Sequence, residues 1–355
     1  MKKIELAVNR QESVFHHPFQ NNERVTQSLE IRTDPLTGHQ SVFNTGLEGK
    51  AQILFPDTDH EYMAQRAEES VSTCFLCPAD WRDKTPTYPD EFLSGGILEH
   101  GQASLFPNLF PVAAYHSVIR LGDKHFRKLN DLSPDLLQDG FTVALEFVRK
   151  SFEYDPAMIY PTLNINYMFP AGASLVHPHM QILNSPTPST HHRQLLEKSW
   201  HYMELNNSSY WADLVSEERS SNQRYIGQTG DAHWITAFAP TGYNEIQAVW
   251  PKKQNFMQFS DKDIIDLSEG LSHILKIWHS MNLSTFNFAF FCAPLNEPNK
   301  KTPEFCCFMR IVNRQNVIPH HRTDDYFFQK LLKNELILNP PEKLAQWMQA
   351  GFPER

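Results

Sequence analysis

The segment Thr162-Leu163-Asn164-Ile165-Asn166-Tyr167 returns downstream as Thr285-Phe286-Asn287-Phe288-Ala289-Phe290. Both segments alternate between two faces and are rich in strand-forming residues, so both read as strands. Each is preceded by a helix with a serine cap. Leu132-Ser133-Pro134-Asp135 opens one in which Leu137, Phe141, Ala144, Phe147, Val148 and Phe152 recur at helical spacing, with proline at the first helical position. Phe259-Ser260-Asp261 opens the other, with Ile264, Leu267, Leu271, Ile274 and Leu275 on one side. A strand precedes each helix, residues 114–121 after Phe110-Pro111 and residues 243–249 after Phe238-Ala239-Pro240. A last strand follows, ending in Met180-Gln181-Ile182-Leu183 or in Met309-Arg310-Ile311-Val312. Four matches in the same order indicate an internal duplication of an antiparallel sheet with a helix packed on it, an α+β architecture.

The rest of the chain is arranged around these copies. Residues 1–190 are expected to form the first half and 191–355 the second, in line with roughly 150 residues per domain. The first seventy residues read as loops and short strands around the turn Asp34-Pro35-Leu36-Thr37-Gly38. Residues 185–228 read as a polar connector with a helix over 192–205. Residues 324–334 and 341–349 read as two docking helices. With 21% charged residues, a net charge of −9 and no basic run beyond pairs such as Lys2-Lys3, Lys252-Lys253 and Lys300-Lys301, no nucleic-acid partner is expected. No apolar stretch is long enough to span a membrane and no apolar signal core follows Met1-Lys2-Lys3, so a soluble, cytoplasmic protein is expected.

Five cysteines are an odd number, and only Cys74 and Cys77 stand at metal-ligand spacing. A redox pair shares that spacing, but no strand precedes it and no long helix follows. Cys292, Cys306 and Cys307 lie among aromatic residues and read as buried thiols. The segment with the most chemistry is Pro170-Ala171-Gly172-Ala173-Ser174-Leu175-Val176-His177-Pro178-His179-Met180-Gln181. On a strand, His177, His179 and Gln181 share one face. The small residues ahead of them let main-chain N–H groups approach an anion, with the Ser174 hydroxyl as a further donor. A phosphate beside a histidine is the expected arrangement.

This His-Pro-His-x-Gln block after an Ala-Gly-Ala-Ser loop resembles the galactose-1-phosphate uridylyltransferase branch of the histidine-triad superfamily, which also contains ADP-glucose phosphorylases and dinucleoside-tetraphosphate phosphorylases. Asn108 within Phe106-Pro107-Asn108-Leu109-Phe110-Pro111 resembles that branch's nucleoside-contacting segment, and Asp34-Pro35-Leu36-Thr37 its opening motif. The resemblance implies a duplicated half-barrel of antiparallel sheets with packed helices. It implies a nucleotidyltransferase of carbohydrate metabolism, in which His179 attacks the α-phosphorus of a nucleotide sugar, releases a sugar 1-phosphate and carries the nucleotide covalently. A second sugar 1-phosphate, or inorganic phosphate, then takes it. Gln181 would assist at the phosphoryl oxygen, and Asn108, Asn164, Asn166, Gly172 and Ser174 would contact substrate. The resemblance further implies a homodimer and a structural Zn2+ held by Cys74, Cys77, His125 and His177, with His116 the alternative to His125.

Two departures from the family pattern bear on activity. After the Asp-Pro-Leu-Thr motif relatives carry an arginine-rich segment that contacts phosphates, whereas this chain runs Asn44-Thr45-Gly46-Leu47-Glu48-Gly49-Lys50, and Met168-Phe169 stands where relatives often have Gly-Arg. Cys306 and Phe308 occupy the second copy's counterparts of His177 and His179, so one reactive histidine is expected per chain. The alternatives are a sugar-nucleotide phosphorylase using inorganic phosphate, and a zinc-stabilised nucleotide-binding protein without transfer activity.

Overall fold

The computed structural model describes residues 4–79, 81–298, 300, 303–320 and 322–353; Met1, Lys2, Lys3 and Lys301 lie outside them. A hairpin of β1 (Val8–His17) and β2 (Glu23–Thr33) leads through the Asp34 turn to β3 (Gln40–Asn44). In that turn Asp34 Oδ1 accepts from the Leu36 and Thr37 amides and from the Thr37 hydroxyl, at 3.1, 2.7 and 2.7 Å, which closes it without glycine at its centre. The single turn α1 (Ala51–Leu54), the helix α2 (His60–Ser70) and the single turn α3 (Trp81–Lys84) follow. The first seventy residues are therefore more regular than the sequence suggests. β1 runs Val8 to His17 in unbroken register with β2, but its residues are exposed on both faces, so no apolar alternation marks it.

Ten strands form one antiparallel sheet. They are β4 (Leu98–His100), β5 (Ala103–Pro107), β6 (Tyr115–Leu121), β7 (Thr162–Tyr167), β8 (His179–Asn184), β9 (Tyr225–Thr229), β10 (Ala232–Thr236), β11 (Tyr243–Trp250), β12 (Phe286–Phe291) and β13 (Cys307–Asn313). Their order is β4-β5-β6-β8-β7-β12-β13-β11-β10-β9, which reads identically from either edge toward the β7–β12 seam. Between β6 and β7 runs α4 (Pro134–Tyr154). The connector holds α5 (Thr190–Asn206) and α6 (Tyr210–Ser221), and α7 (Asp261–Ser280) joins β11 to β12.

α4 and α7 lie on one face of the sheet and share its main core, with Phe141, Phe147, Leu267, Leu271, Phe288 and Phe290 buried together. Ser133 caps α4 through the Leu136 amide, and Ser260 caps α7 in a reciprocal capping box with Asp263. Each helix carries a glycine where it crosses its half-sheet. A Cβ on Gly140 would stand 2.6 Å from Leu121 Cδ2, and one on Gly270 would stand 2.3 Å from the Trp234 ring. The opposite face carries His179, Gln181, Asn164, Asn166 and Asn287. α5 and α6 cover its second-half end through Leu195, Trp211, Phe291 and Phe308.

The C-terminal segment differs from the expected pair of helices. α8 (Phe327–Lys330) is one turn, β14 (Asn334–Ile337) pairs in parallel with β3, and α9 (Pro341–Gln349) is the helix expected there. Completing the free edge of β3 satisfies main-chain groups that a helix would have left open. Glu335 of β14 is 3% exposed, and burial, opposed by hydrogen bonds from Leu336 N–H and Gln329 and reinforced by the Asp324 and Glu245 carboxylates, pushes its pKa up to about 8. An unfolded Glu loses its proton near 4.5. Folding must therefore take up a proton between those values, and stability falls as pH rises through that window. Glu335→Gln is expected to leave stability unchanged at pH 4 and to raise it by roughly 2–4 kcal/mol at pH 8.5, read by denaturant titration at both pH values.

Candidate functional site

Cys74 closes the 3-10 turn Val71–Thr73, and the Cys77 amide reaches back to the Cys74 carbonyl at 3.4 Å, giving a knuckle that turns both thiols inward. Arg120 of β6 holds this knuckle by donating from Nε to the Leu76 carbonyl at 2.6 Å. The thiols meet two histidines. Cys77 Sγ lies 3.3 Å from His125 Nδ1 and 3.9 Å from His177 Nδ1, and ligand atoms of Cys74, Cys77, His125 and His177 all lie within 4.8 Å of one another.

The far nitrogen of each ring is occupied. His177 Nε2 donates to the Gly122 carbonyl at 2.9 Å, and His125 Nε2 lies 2.9 Å from the Ser70 hydroxyl. Both Nδ1 atoms therefore face the cluster with their lone pairs, the outer-shell arrangement that metal-bound histidines use. Burial pushes the His177 pKa down to about 4 and lowers that of His125, so both rings are neutral ligands at pH 7. Two thiols and two imidazoles in this arrangement fit a tetrahedral metal ion. His116, the alternative ligand, stands apart from the cluster.

His177 lies ahead of β8 and its ring enters the cluster, so only His179 and Gln181 remain as polar heads on the strand itself. His179 stands opposite Arg120, and Gln181 stands between Val118 of β6 and Asn164 of β7. His179 Nδ1 donates to the His177 carbonyl at 2.8 Å, which leaves Nε2 with the lone pair. Burial lowers the His179 pKa.

The loop ahead of His177 is held from the second half. Asn287 Nδ2 donates to Asn166 Oδ1 at 2.7 Å, to the Ala171 carbonyl at 2.9 Å and to the Ile165 carbonyl at 3.2 Å. Arg314 Nη1 donates to Asn287 Oδ1 at 2.8 Å and pairs through its other nitrogens with Asp324 at 2.8 and 2.6 Å. In the loop, Met168 has φ 67° and ψ 160°, a conformation that favours glycine, and Gly172 has φ 90°. Gly172 and Ser174 are exposed. Asn164 is tied locally, its Nδ2 donating to Thr162 at 3.2 Å. Asn108 Oδ1 accepts from the Phe110 amide at 2.9 Å, and its Nδ2 lies 3.2 Å from His116 Nε2. Asn287, Arg314 and the place of His116 escape the sequence reading; Asn287 was available in the repeated Thr-x-Asn triplet.

The second half's counterpart of this site is filled with aromatic side chains. Trp211 stacks on Phe308 with centroids 4.3 Å apart, and Phe291 stacks on the same ring at 5.2 Å. Burial pushes the Cys306 and Cys307 thiols far up, so they stay protonated. Among the described residues, the cluster at Cys74 is the group of metal-ligating side chains that the fold brings together.

No protein-family model matches the chain. A protein of Archaeoglobus fulgidus described as uncharacterized is 30% identical over 319 residues, which cover 90% of this chain and 91% of that one, and the chain belongs to one family with it. An ADP-glucose phosphorylase from Arabidopsis thaliana with bound ADP-glucose has a similar structure, with a TM-score of 0.68 and 19% identity over 90% of this chain and 98% of that one. A GalT-like protein of Arabidopsis thaliana gives 0.67 and 19% over the same shares, and a uridylyltransferase gives 0.62 and 18% over 90% and 97%. The chain thus shares the fold of these proteins, the duplicated α+β fold that the resemblance implied.

The purified chain is expected to carry about one divalent metal ion per chain by elemental mass spectrometry, and chelation is expected to lower its melting temperature. Cys74→Ser with Cys77→Ser should remove the ion. A metal-free wild type whose melting is indifferent to chelators would defeat the assignment.

Proposed function

We propose that this chain transfers a nucleoside monophosphate from a nucleotide sugar to a sugar 1-phosphate through a nucleotidyl-His179 intermediate. The observation that carries this reading is the bond from His179 Nδ1 to the His177 carbonyl, because it leaves Nε2 as an aligned, unprotonated nucleophile. Nε2 forms a bond to the α-phosphorus as the bond to the departing sugar 1-phosphate oxygen breaks, and the Nδ1 proton stays against the carbonyl. An acceptor phosphate oxygen then attacks the same phosphorus and the P–N bond breaks, restoring the neutral ring. Gln181 and Ser174 donate to the phosphoryl oxygens as charge develops, whereas the Gly172 and Ala173 amides, also expected to do so, are turned to the Phe169 and Met168 carbonyls at 3.0 and 3.3 Å. Asn108 contacts the nucleoside, and Asn164 and Asn166 line the substrate's path.

The ion of the Cys74, Cys77, His125 and His177 cluster is, on this reading, Zn2+ in a structural role. Four protein ligands leave no position for an activated water, and holding His177 fixes the residue whose carbonyl orients His179. Residues 1–190 carry the site and residues 191–355 support it. A homodimer belongs to the same reading and rests on the resemblance alone. Phosphorolysis by inorganic phosphate is the second reading, favoured by the likeness to the ADP-glucose phosphorylase.

Intact-protein mass spectrometry after mixing with UDP-, ADP- and GDP-sugars, without acceptor, tests the proposal. A mass gain of one nucleoside monophosphate is expected in the wild type and none in His179→Ala. Gln181→Ala should slow adduct formation by roughly 10²-fold. Chasing the adduct with phosphate or with hexose 1-phosphate separates the two acceptors. Tight nucleotide binding with no adduct from any donor would leave a binding protein in place of a transferase.

A further inference from the structure

Gln181 can donate to a phosphoryl group only if its NH2 end, and not its carbonyl, is turned toward the substrate. The two ends of an amide are nearly isosteric, so the orientation is set by whatever the other end meets. That partner is His116 of β6, whose Nε2 lies 2.8 Å from Gln181 Oε1.

The tautomer of His116 follows from a donor that cannot be reversed. The main-chain N–H of Val112 points at His116 Nδ1 from 3.2 Å, so Nδ1 must carry the lone pair. Burial lowers the His116 pKa, so the ring is neutral at pH 7 and holds its one proton on Nε2. A donor at Nε2 requires an acceptor opposite it, and the facing end of Gln181 is therefore the carbonyl. Its NH2 group is turned away from His116, on the face that Gln181 shares with His179. Asn108 Nδ2 faces the same nitrogen at 3.2 Å, but both are donors, and the shorter contact to Gln181 takes the proton.

The Val112 amide belongs to the loop that carries Asn108. The Asn108 amide bonds the His116 carbonyl at 2.7 Å, so with the Val112 bond the loop seats on His116 at two points, and the Phe110 amide closes the loop on itself by bonding Asn108 Oδ1 at 2.9 Å. Leu109, Phe110 and Val112 stand exposed around it. We infer that His116 is a positioning residue which locks the amide of Gln181 with its N–H groups presented to the phosphoryl group, and which does so while the 108–112 loop is seated. This deepens the nucleotidyl-His179 reading and rests on it. Without the Val112 donor, His116 is free to move its proton to Nδ1. Gln181 then rotates, and its carbonyl oxygen faces the phosphate in place of a donor.

The test is single-turnover formation of the nucleotidyl adduct, with the sugar nucleotide that labels the wild type, in His116→Phe and His116→Gln. Phe keeps a ring and loses the donor; Gln keeps an N–H. His116→Phe is expected to form adduct roughly 10²-fold more slowly at saturating donor, with donor affinity and metal content unchanged, and His116→Gln to recover about tenfold of that loss. A wild-type rate in His116→Phe, a loss confined to affinity, or a Gln variant as slow as Phe would overturn the inference. The tautomer is read separately by 15N NMR of histidine-labelled wild type, whether or not an adduct forms. A proton on Nε2 supports the inference and one on Nδ1 overturns it. Absence of adduct in the wild type, by contrast, counts against the nucleophile and not against His116.

Discussion

The carbonyl oxygen of His177 accepts the Nδ1 proton of His179 at 2.8 Å, and the residue that supplies this carbonyl is the one whose ring enters the Cys/His cluster. One residue thus faces two ways: its side chain is fixed by the thiols, His125 and Gly122, and its main chain fixes the tautomer of its neighbour two positions on. The ring of His177 is fully buried and neutral, a costly placement unless both nitrogens are satisfied. Gly122 satisfies one, and the cluster is built to satisfy the other. Three distant stretches converge to make this possible: the knuckle at Cys74 and Cys77, the β6–α4 connection at His125, and the entry to β8. Arg120 ties the first to the third, since it leaves β6 opposite His179 and ends on the Leu76 carbonyl.

The two halves carry unequal loads. The seam pairs Asn166 with Asn287, and it is the second half's Asn287 that bonds the Ala171 carbonyl of the first half's loop. Arg314 and Asp324 continue this network into the second half, so the duplicated unit acts as the frame for a loop that its twin presents. The second half cannot present one of its own, because Trp211 and Phe291 stack on Phe308 where a reactive histidine would stand. The connector that supplies Trp211 has turned a polar face into core.

Elements with periodic contrast are legible in the sequence. α4 and α7 show apolar stripes behind capping serines, and β7 and β12 repeat the same triplet, so the duplicated α+β frame follows from pattern alone. β1 gives no such signal: Asn9, Arg10, Gln11 and Glu12 are polar on successive residues, and its strand conformation comes from pairing with β2. β14 is hidden for a related reason, since its partner β3 lies almost the whole chain away. In the site, Cys74, Cys77 and the His-Pro-His block carry their chemistry in their spacing. His116 does not, because its role depends on which nitrogen a loop amide reaches, and no residue pattern encodes a tautomer.

The same dependence on oriented neutral groups bears on how this site handles charge. The guanidiniums of Arg120, opposite His179, and of Arg314, bonded to Asn287, are each already tied to a carboxylate, Asp123 or Asp324. The segment after the Asp34 turn, where the resemblance places arginines, instead forms a short 3-10 turn at Thr45–Leu47 followed by the exposed Lys50. The side chains that share the sheet face of His179 on β7, β8 and β12 include the amides Gln181, Asn164, Asn166 and Asn287. A free cation stabilises a phosphate dianion before and during reaction alike, whereas fixed dipoles gain most where charge shifts onto the oxygens they face. Under the proposed nucleotidyl transfer, amides of this kind would hold the ground-state ligand weakly and act mainly on the transfer step. Their effectiveness then rests on orientation rather than on charge, and orientation is what the His177 carbonyl, Asn287 and His116 each supply.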